Sequence, residues 1–303
     1  MQRRRFLQSA GLGLAASSPL AQAAFDCYVE RAPGAQLFTL RNELTDNPIE
    51  AIRDLANAGV RDVELFGLTG APEIFGMSPL SFRRLLQRND ITMTCSHVAA
   101  DALDIPALAA NAEILGLDTI ILGAAPGFVQ PGPNGLRIQG PQTKQEMDEL
   151  AELLNRLGLM FRRRGLQFAY HNHHVEFFEV DGEIPYNYIM WNTDPQMVRC
   201  ELDIGWLALA GVDYLNVLDN FGNRTISCHM KDFNGNRPTD MGDFLGAAAN
   251  LVPPGSGVVD FTAVMERMDY YNIRHGFVEI DMPRNAITEI GAGVRHLQSL
   301  CRC

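Results

Sequence analysis

Eight short β-branched or aromatic runs alternate along this chain with eight longer amphipathic segments, and this alternation limits the fold more than any other feature. The candidate strands cover residues 36–40, 60–66, 92–97, 119–123, 166–172, 198–203, 225–231 and 276–280. The candidate helices cover residues 48–58, 79–89, 106–115, 144–164, 185–192, 213–221, 261–270 and 285–300. Alternation over eight repeats favours a closed parallel (β/α)8 barrel over an open doubly wound sheet.

The length and composition indicate one globular domain with a full hydrophobic core. The chain has 303 residues, of which 47% are hydrophobic and 20% are charged, and α/β barrels routinely occupy this length as one domain. We therefore predict a single barrel domain over residues 24–303. A net charge of −11 disfavours a nucleic-acid partner, because binding a polyanion normally needs a basic surface.

The first 23 residues have the features of an export signal. Arg3-Arg4-Arg5-Phe6-Leu7 precedes an apolar stretch, and Ala21-Gln22-Ala23 has the small-x-small pattern of a cleavage site. The segment resembles a twin-arginine signal, which implies export of a folded, metal-loaded protein to the periplasm or beyond. We expect no stable membrane anchor after cleavage. An uncleaved anchor and a general secretory signal stay open as alternatives.

The cysteines do not form a zinc-binding pattern, because the chain lacks the paired CxxC motifs of zinc ribbons. Cys95, Cys200 and Cys228 lie inside apolar strand runs, where cysteine usually serves as a small core residue. The sequence leaves open whether Cys27, Cys301 and Cys303 form a disulfide.

Acidic and imidazole side chains occur at the carboxyl ends of the candidate strands, where the catalytic groups of such barrels lie. They are Glu64, His97, His171, Asp203, His229 and Glu279. Each one alone is often a hydrogen-bonded histidine or a helix-capping carboxylate, but six at one rim indicate a functional site. Carboxylate oxygens and imidazole nitrogens together suit a divalent cation. The pattern therefore predicts a metal-dependent enzyme.

Five strings carry a family resemblance that extends over residues 34–300. They are AYHNHHVEF (169–177), ELDIGW (201–206), HMKD (229–232), GVVDF (257–261) and VEID (278–281). These strings resemble the xylose-isomerase-like TIM-barrel family, in the group of sugar phosphate isomerases and epimerases. The resemblance implies a TIM barrel, one divalent metal ion and a small sugar substrate. Keto-sugar epimerases, inosose dehydratases and enzymes of 3-keto-glycosides belong to this group.

The resemblance also implies the metal ligands. Asp203, His229 and Glu279 match the positions that hold the metal, together with one group from the fifth strand. We favour Glu176 as that group, because three carboxylates and one imidazole suit Mn²⁺ or Mg²⁺; Co²⁺ and Zn²⁺ stay open. His171 would then face the substrate. The alternative makes His171 the ligand.

A divalent metal ion bound to an α-hydroxy ketone stabilises the enediolate that forms when a base removes the carbon-bound proton. Reprotonation gives epimerisation or isomerisation, and loss of a β-substituent gives dehydration or elimination. The candidate proton carriers are Glu64, His171, Glu176 and Glu279. Lys231 is expected to stabilise negative charge, or else to form a rim salt bridge.

We expect the substrate to contact His97, His173 and Trp206 at the rim. The Gly/Pro-rich segment 123–140 after the fourth strand is predicted to be a surface loop over the site. These features predict a keto-sugar isomerase or epimerase. Three alternatives are a dehydratase or lyase of inososes or 3-keto-glycosides, a non-catalytic sugar-binding barrel, and an endonuclease, which the acidic charge disfavours. The sequence is compatible with a homo-oligomer.

Overall fold

The computed structural model describes residues 34–99, 103–133 and 135–300, which contain a closed barrel of eight parallel strands. The strands are β1 (Gly34–Gln36), β2 (Asp62–Leu65), β3 (Thr92–Ala99), β4 (Thr119–Ala124), β5 (Gln167–His171), β6 (Arg199–Asp203), β7 (Thr225–Met230) and β8 (His275–Val278). Each strand pairs in parallel with the next, and β8 pairs with β1. The predicted closed barrel is confirmed; the predicted export signal lies outside the described residues.

A main helix follows each barrel strand. These helices are α1 (Pro48–Asn57), α2 (Pro79–Arg88), α3 (Ile105–Leu115), α4 (Lys144–Arg162), α5 (Pro185–Trp191), α6 (Tyr214–Phe221), α7 (Phe261–Tyr270) and α8 (Ala286–Leu300). Asn47, Ser78 and Asp104 cap α1, α2 and α3 by accepting hydrogen bonds from backbone N–H groups of the first turn. Proline in the first turn of these helices fixes φ near the helical value, and the backbone N–H that proline lacks would have no partner within the helix at that position.

Several short elements were not predicted. The expected first strand over residues 36–40 is instead β1 followed by a 3-10 helix at Leu37–Leu40. The Gln36 side chain accepts a hydrogen bond from the Phe38 N–H at 3.0 Å, which turns the chain directly after β1. Additional short helices occur at Arg41–Asp46, Ile204–Ala210 and Phe244–Ala248. Apolar and aromatic composition alone does not distinguish such turns from strands.

The Gly/Pro-rich segment after β4 forms an antiparallel hairpin of Val129–Gly132 and Gly135–Ile138. Most of the hairpin is exposed, as the surface-loop prediction requires. The Ile138 N–H donates to the Gly242 carbonyl at 3.0 Å, and Arg137 pairs with Asp240 at 2.7 Å. These contacts fasten the hairpin to the connection between β7 and α7.

The barrel interior changes from apolar to polar along its axis. Cys95, Ile121, Ala169 and Phe277 form a small apolar cluster inside the barrel. Successive side chains of a strand point to opposite faces, so residues two apart share a face. The next inward-facing positions on three of these strands are therefore His97, His171 and Glu279. Cys95, Cys200 and Cys228 are buried free thiols, as predicted. Among the described residues, no helix has the length and apolar content needed to cross a bilayer.

Candidate metal centre and active site

Asp203, His229 and Glu279, hereafter the outer set, meet at the carboxyl end of the barrel. Their candidate ligand atoms all lie within 4.8 Å of one another. His229 Nδ1 is 2.6 Å from Glu279 Oε2 and 3.5 Å from Asp203 Oδ2. Asp203 also caps the following helix, because its Oδ1 accepts the Trp206 N–H at 2.9 Å. The cap uses one carboxylate oxygen and leaves Oδ2 directed at the cluster.

The outer set fits a divalent cation. Asp203 Oδ2, His229 Nδ1 and Glu279 Oε2 are all buried, and their close contacts are with one another and with the Lys231 ammonium. A buried carboxylate is costly unless a positive charge or a metal ion compensates it. Two carboxylate oxygens and one imidazole nitrogen are donors that Mn²⁺, Mg²⁺ and related ions accept. The structure thus brings together three of the four residues predicted to bind the metal.

Lys231 follows β7 and points into the same cluster. Its Nζ lies 3.0 Å from Asp203 Oδ2 and 2.9 Å from each of Glu279 Oε2 and Asp281 Oδ2. Burial disfavours the ammonium, but the three carboxylates outweigh this effect and hold the pKa of Lys231 well above its ordinary value. Lys231 is therefore a permanently charged donor at the rim. These contacts match the alternative prediction, in which Lys231 forms a salt bridge at the rim.

Glu176 does not join the outer set. Its Oε1 accepts the Tyr170 hydroxyl at 2.8 Å, and its two carboxyl oxygens face the His173 N–H at 3.2–3.3 Å. Burial raises the pKa of Glu176 to about 8, although these hydrogen bonds oppose the shift. These contacts place Glu176 at the start of the short helix His174–Phe177, away from the outer set. Its role as a metal ligand stays a prediction.

His171 lies between the outer set and a deeper group. Its Nε2 is 3.8 Å from Asp203 Oδ2, and its Nδ1 is 3.1 Å from Glu201 Oε2. Burial lowers the pKa of His171 to about 4, and the neighbouring His229 adds to this effect. A neutral imidazole beside the metal ligands is suited to accept a proton.

Glu201 is a site residue that the sequence analysis missed. Its Oε2 lies 2.5 Å from His97 Nε2, 3.1 Å from His171 Nδ1 and 3.2 Å from His229 Nε2. We call His97, His171, Glu201 and His229 the inner set; their candidate ligand atoms all lie within 4.8 Å of one another. The sequence feature that indicates Glu201 is its position two residues before Asp203 on β6, because side chains two apart on a strand share a face.

Glu64 is buried beneath His229 and does not reach the rim. Its Oε2 is 2.6 Å from His229 Nε2, and Gln36 Nε2 donates to the same oxygen at 2.7 Å. A carboxylate behind a metal-binding imidazole fixes the tautomer and the orientation of the ring. The structure places the fully buried Glu64 carboxyl on the Nε2 side of the His229 ring, and its role in proton transfer stays a prediction.

The three predicted substrate contacts differ in accessibility. His97 and His173 are half-buried at the rim, and the His173 Nδ1 has no hydrogen-bond partner. Burial lowers the pKa of His173 well below its ordinary value. Trp206 is fully buried, with the His174 ring stacked at 4.7 Å and Lys231 Nζ 5.3 Å from its ring centroid. Its predicted stacking on a substrate is not supported, because Trp206 instead forms the wall behind His174 and Lys231.

Comparison with known proteins gives three points of reference. An inosose dehydratase of Geobacillus thermodenitrificans is 36% identical over 143 residues, which cover 45% of this chain and 47% of that protein. The chain thus matches less than half the length of this curated relative. A sugar phosphate isomerase/epimerase from Parabacteroides distasonis superposes with a TM-score of 0.71 at 21% identity, covering 90% of this chain and 96% of that one.

A third relative was solved with a metal ion. It is a xylose isomerase-like TIM barrel protein from Mycobacterium smegmatis in complex with magnesium, with a TM-score of 0.60 and 12% identity. The superposition covers 89% of this chain and 96% of that one. At these identities the two structures establish a shared fold. The family model of the xylose isomerase-like TIM barrel matches residues 52–300, so the chain belongs to the xylose isomerase-like TIM barrel family.

Proposed function

We propose that this protein is a divalent-metal-dependent isomerase or epimerase that acts on a keto-sugar or related polyol through an enediolate. The observation that carries the proposal is the outer set, in which three buried donor atoms converge within 4.8 Å of one another. Charged Lys231 and neutral His171 adjoin this set from two sides. The family relationship and the sugar isomerase/epimerase with the same fold support the substrate class.

Asp203, His229 and Glu279 would hold the ion, and we propose Mn²⁺ because two of the three donors are carboxylates. A bound divalent ion would supply Lewis-acid stabilisation of the negative charge that develops on the substrate oxygens. The Mycobacterium smegmatis protein with the same fold was solved in complex with magnesium, which supports a divalent ion as the cofactor.

The surrounding residues would carry out the proton transfers. His171 is neutral and adjoins Asp203, so it would remove the proton from the carbon next to the carbonyl. Lys231 would stabilise the oxyanion through its ammonium, which the surrounding carboxylates keep charged. His97 and His173 are half-buried at the rim, so they would bind substrate hydroxyl groups.

Dehydration is the second candidate function, and the similarity to inosose dehydratase favours it. Both reactions begin with the same proton abstraction, so the residues named above serve either outcome. They differ in the next step, where a dehydratase protonates and expels a β-hydroxyl group. The Lys231 ammonium would supply that proton.

The test is solvent deuterium exchange. The Mn²⁺-loaded protein is incubated with ketohexoses, inososes or 3-keto-glycosides in D₂O, and the products are analysed by NMR after metal removal. Deuterium at the carbon next to the carbonyl, with a new epimer or isomer, supports the first function. Deuterium with water loss identifies the dehydratase. Binding of these sugars without exchange or product would contradict both and would leave a sugar-binding barrel.

A further inference from the structure

The inner set is a buried group of four side chains that the proposed reaction does not fully use. We propose that His97, His171, Glu201 and His229 form a second, nitrogen-rich site for a borderline divalent ion such as Co²⁺ or Zn²⁺. The site adjoins the outer set and shares the His229 ring with it. It also includes His171, the base of the proposed reaction, but the proposal concerns a second ion and does not depend on that reaction.

The geometry of Glu201 is the first argument. Three imidazole nitrogens lie 2.5–3.2 Å from its Oε2 and come from three different strands, β3, β5 and β7. Metal–ligand bonds of about 2.0–2.2 Å place the donors of one ion roughly 3–4 Å apart. A small rotation of the Glu201 carboxylate would lengthen its distances to the three imidazole nitrogens into this range. Ser227 Oγ already donates to the other carboxylate oxygen at 2.7 Å, which supports Glu201 from behind.

Charge is the second argument. Glu64 and Glu201 are both fully buried, and within the described part of the chain only imidazoles lie within ion-pair distance of them. The outer set differs, because Lys231 contributes a permanent charge there. Two buried carboxylates without a Lys or Arg partner are costly. A divalent ion among the imidazoles would neutralise both.

The donor types separate the two sites chemically. The inner set offers three imidazole nitrogens and one carboxylate oxygen, which suit Co²⁺, Zn²⁺ and neighbouring transition ions. The outer set offers two carboxylates and one imidazole, which also accept Mg²⁺. His229 faces the inner set through Nε2 and the outer set through Nδ1. With both ions bound, His229 would release its ring proton to solvent, bridge the ions as an imidazolate and give up its Nε2 contact with Glu64. His97 belongs to the inner set alone and is partly exposed at the rim, which gives the ion a path of entry.

The experiment uses Co²⁺ as the probe on the full protein. Metal-free wild type is titrated with Co²⁺, and bound metal is counted by elemental analysis after removal of free ion. We expect two equivalents in the wild type and one in His97→Asn. Excess Mg²⁺ should displace one equivalent from the wild type and leave the second in place. X-ray absorption of the retained Co²⁺ should show scattering from several imidazole rings.

A second variant isolates the inner site. Asp203→Asn with Glu279→Gln disables the outer set, and this variant should keep one Co²⁺ equivalent that disappears when Glu201→Gln and His97→Asn are added. Glu176→Gln in the same background is the matched control, since it changes a buried carboxyl outside both sets and should keep the ion. A single Co²⁺ equivalent in the wild type that persists in His97→Asn would overturn the proposal. Deuterium exchange by the Mg²⁺-loaded protein tests the outer-set function separately.

Discussion

Gly205 packs directly against Lys231. A Cβ atom added to Gly205 would lie 2.4 Å from Lys231 Cβ and 3.1 Å from the Lys231 carbonyl oxygen. The short helix after β6 therefore approaches the end of β7 so closely that only glycine fits. This approach keeps Lys231 within 3.0 Å of Asp203 on the neighbouring strand.

Gly205→Ala should displace Lys231 from the outer set. We expect a loss of about 1–3 kcal/mol in the free energy of unfolding, which is typical of overpacking, together with lower turnover. Denaturant unfolding and initial rates measure the two effects. Gly291→Ala is the control, because an added Cβ there meets the flexible end of Arg295 at 3.1 Å. Full activity in Gly205→Ala would show that the position of Lys231 is unimportant.

Asp203→Asn should remove the metal from the outer set and keep the fold. Asparagine still caps the following helix but carries no charge. We expect at least a ~10–100-fold loss of Mg²⁺ affinity, because changing even a residue that only hydrogen-bonds to a metal ligand has an effect of this size. Isothermal titration with Mg²⁺ measures it. Asp213→Asn changes another helix-capping aspartate, at α6, and should bind Mg²⁺ as the wild type does. Unchanged affinity in Asp203→Asn would rule out the outer set as the Mg²⁺ site.

His171→Gln separates proton transfer from metal binding in the outer set. If His171 is the catalytic base, the variant should keep outer-set Mg²⁺ and lose about 10²–10⁴ in kcat, the usual value of a positioned proton carrier. Rates at saturating metal and Mg²⁺ affinity are compared in the same preparation. Recovery of activity with excess Mn²⁺ would instead make His171 a ligand of the catalytic metal.

Glu176 should make stability depend on pH. Its pKa rises from 4.5 to about 8 on folding, so between these values the native state binds the extra proton. Stability attributable to Glu176 is therefore full below about pH 4.5 and is lost as the pH rises toward 8, with a slope approaching ~1.4 kcal/mol per pH unit. In Glu176→Gln, the free energy of unfolding should not show this fall as the pH rises.

The comparison for Glu176 is made by urea unfolding from pH 5 to pH 8, a window bounded by its ordinary and folded pKa values. Glu179→Gln alters an exposed neighbour and should follow the wild-type profile. Metal binding by Glu176→Gln should also match the wild type, because Glu176 lies outside both sets. A lost metal equivalent in this variant would restore the ligand role predicted from the sequence.

We propose that residues 1–23 direct export through the twin-arginine route. Arg3→Lys with Arg4→Lys should trap the precursor in the cytoplasm, as measured by cell fractionation and immunoblotting. Arg5→Lys keeps the Arg3-Arg4 pair and should be exported normally. Export of the double variant at the wild-type rate would favour the general secretory route.

The strand-end residues show how far local pattern predicts a site. Asp203, His229 and Glu279 were identified by their positions after apolar runs, and the structure brings their donor atoms within 4.8 Å. This succeeds because the carboxyl ends of all strands in a closed parallel barrel face one rim. The structure places Glu176 away from the outer set, because the chain turns into a short helix after β5 and the Glu176 carboxyl accepts hydrogen bonds from the Tyr170 hydroxyl and the His173 N–H.

The order of strands and helices and the barrel that they form follow from the sequence, since hydrophobic periodicity is local and eight repeats leave few ways to bury the apolar faces. The position of Glu64 behind His229, and the three imidazoles from other strands around Glu201, become visible in the folded barrel alone. These relationships depend on the register between strands far apart in sequence. The residues of one strand alone do not specify which side chains of other strands they will face.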